Sequence, residues 1–219
     1  MSAPMTAYRI LITAGATHEP IDDIRYISNR SSGQMGAAVA RACVEGGHST
    51  TIITGPVSVA YPDNAVVHRI TTAREMHEKV LQEFPQHDLL IMSAAVADYS
   101  PRVASGKLPR LKTGSFMLEL FPTPDIVADA VSKKRDDQRA VAFSLEQSID
   151  HGGDDLVRAS EKMRYKHVDL MVYNPLATME AKDISPTLLW PGGRVLKIER
   201  SEKAAFAKVL LSHAVALFE

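Results

Sequence analysis

Short apolar runs alternate with amphipathic stretches along most of this chain, and nearly every run stops on small or turn-forming residues. Tyr-Arg-Ile-Leu-Ile-Thr, from Tyr8 to Thr13, reads as a buried parallel strand, and it ends in Ala14-Gly15-Ala16, which opens a loop. A long connection, Thr17 to Tyr26, precedes a helix expected from about Gly33 to Glu45 that stops at Gly46-Gly47. Thr50 to Thr54 is a β-branched second strand, which completes a βαβ unit. Val66 to Ile70 gives a third strand, and Thr72-Ala73-Arg74-Glu75 is a capping box opening a helix to about Phe84. A fourth strand, Asp88 to Ser93, again ends in small residues, Ala94-Ala95-Val96-Ala97-Asp98.

The periodicity is lost between Tyr99 and Thr113. Phe116 to Leu120 is then expected to be extended, a helix starts at Pro122-Thr123-Pro124-Asp125 and runs to about Arg135, and Ala140 to Ser144 is a fifth strand. A helix from Asp154 to Lys166 leads to a sixth strand, Val168 to Tyr173, which closes on Asn174-Pro175. Thr187 to Trp190 and Val195 to Glu199 flank Pro191-Gly192-Gly193-Arg194 and predict an antiparallel hairpin at the sheet edge. The last helix, Ser201 to Phe218, carries Phe206, Val209, Leu210, Val215 and Leu217 as its packing stripe. The pattern predicts an α/β fold: a doubly wound, Rossmann-like, mostly parallel sheet, with ligands bound beyond the carboxyl ends of its strands.

Composition bounds this picture more than it changes it. With 219 residues, 45% of them hydrophobic, the chain can fold as one domain, residues 1–6 being expected as a flexible tail. Lys and Arg number 25 against 26 Asp and Glu, so no overall field favours nucleic acid or an anionic membrane. No stretch resembles a signal peptide or reaches membrane-spanning length, and the expected location is cytoplasmic. Cys43, the single cysteine, rules out an internal disulfide and reads as a small buried residue among Ala40, Ala42 and Val44.

Candidate chemistry gathers in Ile27-Ser28-Asn29-Arg30-Ser31-Ser32-Gly33-Gln34-Met35-Gly36. A helix start there offers unpaired N–H groups, and glycine lets a phosphate approach the backbone. Taken alone, the segment favours the plainer reading of a serine-capped helix start. Residues 99–115, with Arg102, Lys107, Arg110 and Lys112, read either as a solvated loop or as a mobile lid closing on phosphates. Lys162 and Lys166, four apart, share a helix face that is either solvated or a phosphate clamp. A nicotinamide dehydrogenase is disfavoured. Gly15 stands without the Gly-x-Gly-x-x-Gly turn, the second strand ends in Thr54-Gly55-Pro56 with no ribose-binding acid, and no tyrosine precedes a lysine by four residues.

Several runs together resemble the phosphopantothenate-cysteine ligase family. They are Ile12-Thr13-Ala14-Gly15, Thr17-His18-Glu19-Pro20-Ile21-Asp22, Arg25-Tyr26-Ile27-Ser28-Asn29-Arg30-Ser31-Ser32-Gly33-Gln34-Met35-Gly36, Ala94-Ala95-Val96-Ala97-Asp98-Tyr99, Pro124-Asp125-Ile126, Phe143 with Glu146, Lys162-Met163 with Lys166, and Asp169 to Asn174. The resemblance implies a ligase of coenzyme A biosynthesis. It would activate the carboxylate of 4′-phosphopantothenate with CTP or ATP, release pyrophosphate, and let the amino group of cysteine displace the nucleotide. It also implies roles: Gly15, Ser31, Ser32, Gly33 and Gly36 at phosphates, Asn29 at the acyl-nucleotidylate, Arg25 in substrate handling, and Lys107 in the second half-reaction. Ala94, Ala95, Asp98, Phe143, Lys162 and Lys166 would contact the nucleotide, Asp98 with Mg²⁺ held mainly by substrate phosphates.

Departures from the family pattern fall at Lys107-Leu108-Pro109-Arg110, at Thr123, from Ala142 to Gln147, and at Asn174-Pro175. They leave CTP against ATP open. The resemblance further implies a homodimer, with Phe116 to Leu120 as a candidate interface. It also implies a monofunctional form without the fused flavin-dependent decarboxylase domain, hence no flavin cofactor. The alternatives are a non-catalytic nucleotide-binding homologue and, third, a NAD(P)-dependent oxidoreductase.

Overall fold

The computed structural model describes residues 6–146, 155–176 and 183–219. Most of the expected tail, Gln147 and the first residue of the helix expected at Asp154 lie outside the described residues. In chain order the elements begin β1 (Arg9–Ala14), β2 (His18–Pro20), β3 (Tyr26–Ser28), α1 (Gln34–Glu45), β4 (Ser49–Thr54), β5 (Val66–Arg69), α2 (Ala73–Glu83) and β6 (Leu89–Met92). They continue with β7 (Tyr99–Pro101), β8 (Leu120–Pro122), α3 (Ile126–Ser132), β9 (Arg139–Glu146), α4 (Asp155–Lys166) and β10 (Leu170–Pro175). The chain ends with β11 (Asp183–Ile184), β12 (Thr187–Leu189), β13 (Val195–Lys197), β14 (Ser201–Glu202) and α5 (Lys203–Val215).

One eight-stranded sheet has the order β13-β12-β10-β9-β6-β1-β4-β5. The strands from β10 to β5 are parallel, and β12 and β13 add an antiparallel edge. This is the doubly wound sheet expected from the sequence. Its central strands are apolar on both faces because helices cover both. Ile10, Ile12 and Ile52 face α1 and α5, packing on Val39, Cys43, Phe206 and Leu210. Leu11, Ile53 and Leu90 point the other way, toward Met76 and Val80 of α2, Ile126 of α3 and Met163 of α4. Each fully buried side chain of this size contributes about 1.5–3 kcal/mol.

The α2 capping box forms as read: Glu75 N–H donates to Thr72 Oγ1 at 3.2 Å, and Thr72 N–H donates to Glu75 Oε2 at 3.4 Å. The edge hairpin turns at Gly192 and Gly193, both near φ +90°, a conformation open to glycine. Among the described residues no helix is long and apolar enough to cross a membrane.

Five expectations change. The connection from Thr17 to Tyr26 is not an open loop, because β2 and β3 pair antiparallel within it. Asp22 bends their turn by accepting from the N–H groups of Ile24 and Arg25, at 2.9 and 2.8 Å. Phe116 to Leu120 is not the extended element: the strand is β8, which pairs with β7, so residues 99–115 begin in a sheet. The start of α1 is not serine-capped, since its N-cap is Gly33 at φ +75° with no side-chain bond. Val209 lies off the α5 stripe, 38% exposed, because the buried row runs through Phe206, Ala207, Leu210, Leu211 and Ala214. The helix itself ends at Val215, where a 3-10 turn follows.

Candidate functional site

Strand order reverses between β1 and β6: the chain winds outward from β1 through β4 and β5 on one side, and from β6 through β9 and β10 on the other. The connections after these two strands must part there, which opens a crevice at their carboxyl ends. A parallel bridge between Ala16 and Ala95 holds the crevice floor. Ala95 N–H donates to Gly15 O at 2.8 Å, Ser93 Oγ to Thr13 O at 2.6 Å, and Ala97 N–H to Thr17 Oγ1 at 3.0 Å. These bonds satisfy backbone groups where two loops meet without a ladder.

Three adjoining compartments make up the crevice, and Phe143 of β9 lines all of them. The first, about 190 Å³, is walled by Ser31, Ser32 and Gly33, by Ala94 and Ala95, and by Asn174 and Lys203. The second, about 400 Å³, holds Asn29, Asp98, Lys162 and Lys166. The third, about 330 Å³, lies between Asp98 and the start of α3. Other cavities, about 730 Å³ beside Tyr8 and His48 and about 440 Å³ under the β12–β13 hairpin, are larger. They lie away from the switch point and carry none of the candidate site residues named from the sequence. The crevice is therefore the candidate site despite its modest size.

Gly33 makes the cradle possible. At φ +75° a side chain would be strained, and a Cβ would approach Val57 and Val59 at 3.1 Å. Its N–H donates to Ser31 Oγ at 3.4 Å. The first turn of α1 has no acidic residue, so the positive end of the helix dipole meets the compartment unopposed by its own side chains. Gly36 and Gly15, both read as phosphate contacts, stand in the frame behind the wall. A Cβ on Gly36 would sit 2.4 Å from the Ala14 Cβ, so its absence lets α1 seat directly on β1. Gly15 turns at φ +73° against Val57.

The Asn29 side-chain amide donates to Val96 O at 2.8 Å, which fixes its orientation in the second compartment. Lys166 pairs with Asp125 at 3.1 Å, and Asp125 also caps α3 through Ala128 N–H at 3.1 Å. Asp98 is exposed on the wall. Among the described residues no group of three histidine, cysteine or acidic side chains could hold a metal. Asp98 and Asp125 are the carboxylates of the third compartment, and Asp125 is engaged by Lys166.

Arg25 and Lys107 are not brought to the compartments. Arg25 is clasped to Asp22 by its Nε and Nη2, and Nη2 also donates to Leu108 O at 3.0 Å. Leu108 N–H returns a bond to Asp22 Oδ2 at 3.0 Å, and Ala104 N–H donates to Ile21 O at 2.9 Å. The Asp22 side chain is 0% exposed. The Arg25 guanidinium, opposed by burial and aided by the Ile24, Arg25 and Leu108 N–H groups, holds its carboxyl well below the usual carboxylate range. Lys107, next to the clasped Leu108, is exposed. Sequence reasoning missed Asp22 as the clasp and Lys203 as a wall residue. The turn chemistry of Asp22 was visible, whereas nothing marks Lys203 at the head of a helix.

The chain is similar to known proteins over nearly its whole length. Residues 5–217 match the model of the DNA/pantothenate metabolism flavoprotein C-terminal domain. A coenzyme A biosynthesis bifunctional protein CoaBC of Vibrio vulnificus (strain YJ016) is 35% identical over 214 residues, 95% of this chain and 52% of that protein. A protein named cysteine/cysteine sulfinic acid decarboxylase, from an unknown prokaryotic organism, is 37% identical over 174 residues, 79% of this chain and 47% of its own. This chain spans about half the length of these curated relatives. Among solved structures, the C-terminal domain of a coenzyme A biosynthesis bifunctional protein CoaBC superposes with a TM-score of 0.82 at 29% identity, covering 99% of this chain and 98% of that one.

Proposed function

Because this chain belongs to the DNA/pantothenate metabolism flavoprotein C-terminal domain family, we propose that it is the ligase that joins 4′-phosphopantothenate to L-cysteine in coenzyme A biosynthesis. One observation carries the reading. Asn29, Ser31, Ser32, Gly33, Ala94, Ala95, Asp98, Phe143, Lys162 and Lys166, scattered over half the sequence, line one crevice at the switch point. A carboxylate oxygen of 4′-phosphopantothenate attacks the α-phosphorus of CTP or ATP, and the bond to pyrophosphate breaks. The amine of cysteine then attacks the acyl carbon, loses a proton, and displaces the nucleoside monophosphate. Two anions meet in the first step, so the site needs cations and aimed N–H donors and no nucleophile of its own.

In this reading the start of α1, with Ser31 and Ser32, takes phosphates, and Lys162 and Lys166 flank the nucleotide. Asn29 orients the acyl group. Mg²⁺ enters as the nucleotide complex, with Asp98 as the side chain that fits it. Lys107 reaches the second step by movement of residues 99–115. A homodimer is part of the proposal: Tyr99, Phe116, Met117, Leu120 and Phe121, in the β7–β8 pair and the segment leading into β8, are each exposed, apolar side chains suited to a second copy.

A second reading has one observation in its favour, the removal of Arg25 and Lys107 from the compartments. It is a nucleotide-binding homologue without turnover. The test is pyrophosphate release by the purified chain with Mg²⁺, 4′-phosphopantothenate and cysteine, run with CTP and with ATP, while carbon dioxide is monitored. Pyrophosphate matched by phosphopantothenoylcysteine supports the ligase. Nucleotide binding without pyrophosphate favours the second reading, and carbon dioxide from cysteine alone would overturn both.

A further inference from the structure

We infer that Lys203 is a further anion-binding residue of the crevice, the side chain that meets the polyphosphate of a nucleotide seated at the start of α1. The inference rests on the nucleotide reading above. Lys203 is the first residue of α5, after the β14 strand that pairs with β11, and it lines the first compartment together with Ser31, Ser32 and Gly33. A lysine is out of place there as helix chemistry. The start of a helix is its positive end, where carboxylates stabilise and cations do not. The N-cap, Glu202, makes no side-chain cap bond, and the first turn has no acidic residue.

Lys203 is half-buried, and among the described residues no carboxylate pairs with it. Burial pulls its ammonium below the ordinary lysine range, the direction expected of a partly desolvated charge without a counter-ion. By contrast Lys208, on the same helix, is exposed and paired with Glu45 at 2.9 Å. A half-buried lysine at the positive end of a helix, with no ion pair among the described residues, points to ligand chemistry.

The compartment's lining agrees. Among the described residues it contains Arg30 and Lys203 and no aspartate or glutamate, and the first residues of two helices, α1 and α5, both line it. Asn174 Oδ1, in the same wall, is buried with no hydrogen-bond partner among the described residues. An acceptor of that kind is costly until a donor arrives. Unpaired cation and orphaned acceptor together suit a ligand that brings both an anion and a hydroxyl or amino group, as a nucleotide does.

The test uses inorganic triphosphate as probe, in calorimetric titrations of the wild type, Lys203→Met, Lys203→Arg and Lys208→Met. Lys203→Met is expected to weaken triphosphate binding about tenfold to a hundredfold, the range for one charge-assisted contact. Lys203→Arg should stay within a few-fold of wild type, and Lys208→Met should not differ from it. A second measurement needs no variant. Triphosphate should protect Lys203, and not Lys208, from amine acetylation read by peptide mass spectrometry. Equal affinity in Lys203→Met and wild type, equal loss in Lys208→Met, or no protection of Lys203 would each overturn the inference. A wild type that binds triphosphate through Lys203 but never releases pyrophosphate would sink the ligase reading and support this one. Turnover with unchanged triphosphate binding in Lys203→Met would do the reverse.

Discussion

Gly36→Ala tests whether the crevice depends on how closely α1 sits on the sheet. A Cβ at residue 36 would lie 2.4 Å from the Ala14 Cβ, 3.2 Å from the Ala14 Cα and 3.0 Å from Ser93 Oγ. Carbon atoms in contact need roughly 3.5 Å or more, so the helix start must retreat by about 1 Å, since β1 is the centre of the sheet and cannot yield. Two effects oppose each other. Alanine is the better helix former by about 1 kcal/mol, while overpacking against backbone costs about 1–3 kcal/mol. With a strand backbone as the obstacle, the upper end of the second range applies. The net is destabilisation by about 2 kcal/mol, or roughly 4–8 °C in Tm for a domain of this size. Urea unfolding followed by fluorescence of Trp190, the chain's one tryptophan and a buried one, measures it. Gly47→Ala is the control: φ is +77° but nothing lies within 4 Å, so only about 1 kcal/mol of backbone strain is expected. Because Ser31 to Gly33 ride on the displaced helix, triphosphate affinity should fall in Gly36→Ala and not in Gly47→Ala. A Gly36→Ala protein as stable as wild type, with unchanged triphosphate binding, would refute the close-approach argument.

Other outcomes follow from single contacts. Asp22→Asn should loosen residues 99–115, raising their hydrogen exchange severalfold, and exchange equal to wild type would show that the clasp does not hold them. The pH sign is set by the lowered pKa of Asp22. The clasp is fully formed above the ordinary carboxylate value of 3.8 and is lost only as pH falls through the lower folded value, so wild-type protection, corrected for intrinsic rates, should be flat from pH 8 to pH 5. Burial pushes the Cys43 thiol up to about 12, so a disulfide reagent at pH 8 should leave the native chain unlabelled and label one thiol once urea unfolds it; rapid native labelling would contradict its burial. Asn29→Asp replaces the donor to Val96 O with a repelling oxygen, and kcat for pyrophosphate release should fall roughly a hundredfold with nucleotide affinity within severalfold. Equal loss of both would remove Asn29 from the chemistry.

The parts of this fold that were legible are those governed by local pattern. Ile10, Leu11 and Ile12 announce a strand buried on both faces because no polar residue interrupts them, and Thr72 with Glu75 announces a helix start because the reciprocal bonds lie within one turn. Pro191-Gly192-Gly193-Arg194 announces a hairpin because the turn needs positive φ. The β2–β3 and β7–β8 pairs were not legible in the same way. Asp22 bonds to Leu108, 86 residues away, and the β7–β8 pair is steadied by Thr123 N–H donating to Asp98 O at 3.0 Å. Such contacts leave no periodicity. Among the candidate site residues, Asn29 and Ser31 to Gly33 were readable because a dense motif carries them. Lys203 was not, because an isolated lysine at a helix start looks like any solvated side chain.

Arg25 shows how the local and long-range levels meet. An arginine has five N–H donors, and here the Nε–H and the two on Nη2 serve Asp22 and Leu108. Among the described residues Nη1 makes no hydrogen bond, so two donors of the guanidinium stay available while the clasp is closed. The β2–β3 hairpin therefore does two jobs with one ion pair. Through Asp22 and Arg25 it holds the segment that bears Lys107, and through the end of β3 it sets Asn29 against Val96. Loss of Asp22 would consequently disturb Arg25 and Lys107 together while leaving the Ser31 to Gly33 cradle, which hangs from α1, in place. A lysine at position 25 could not substitute, because a single ammonium cannot span a carboxylate and a carbonyl in the fixed fork that the clasp requires.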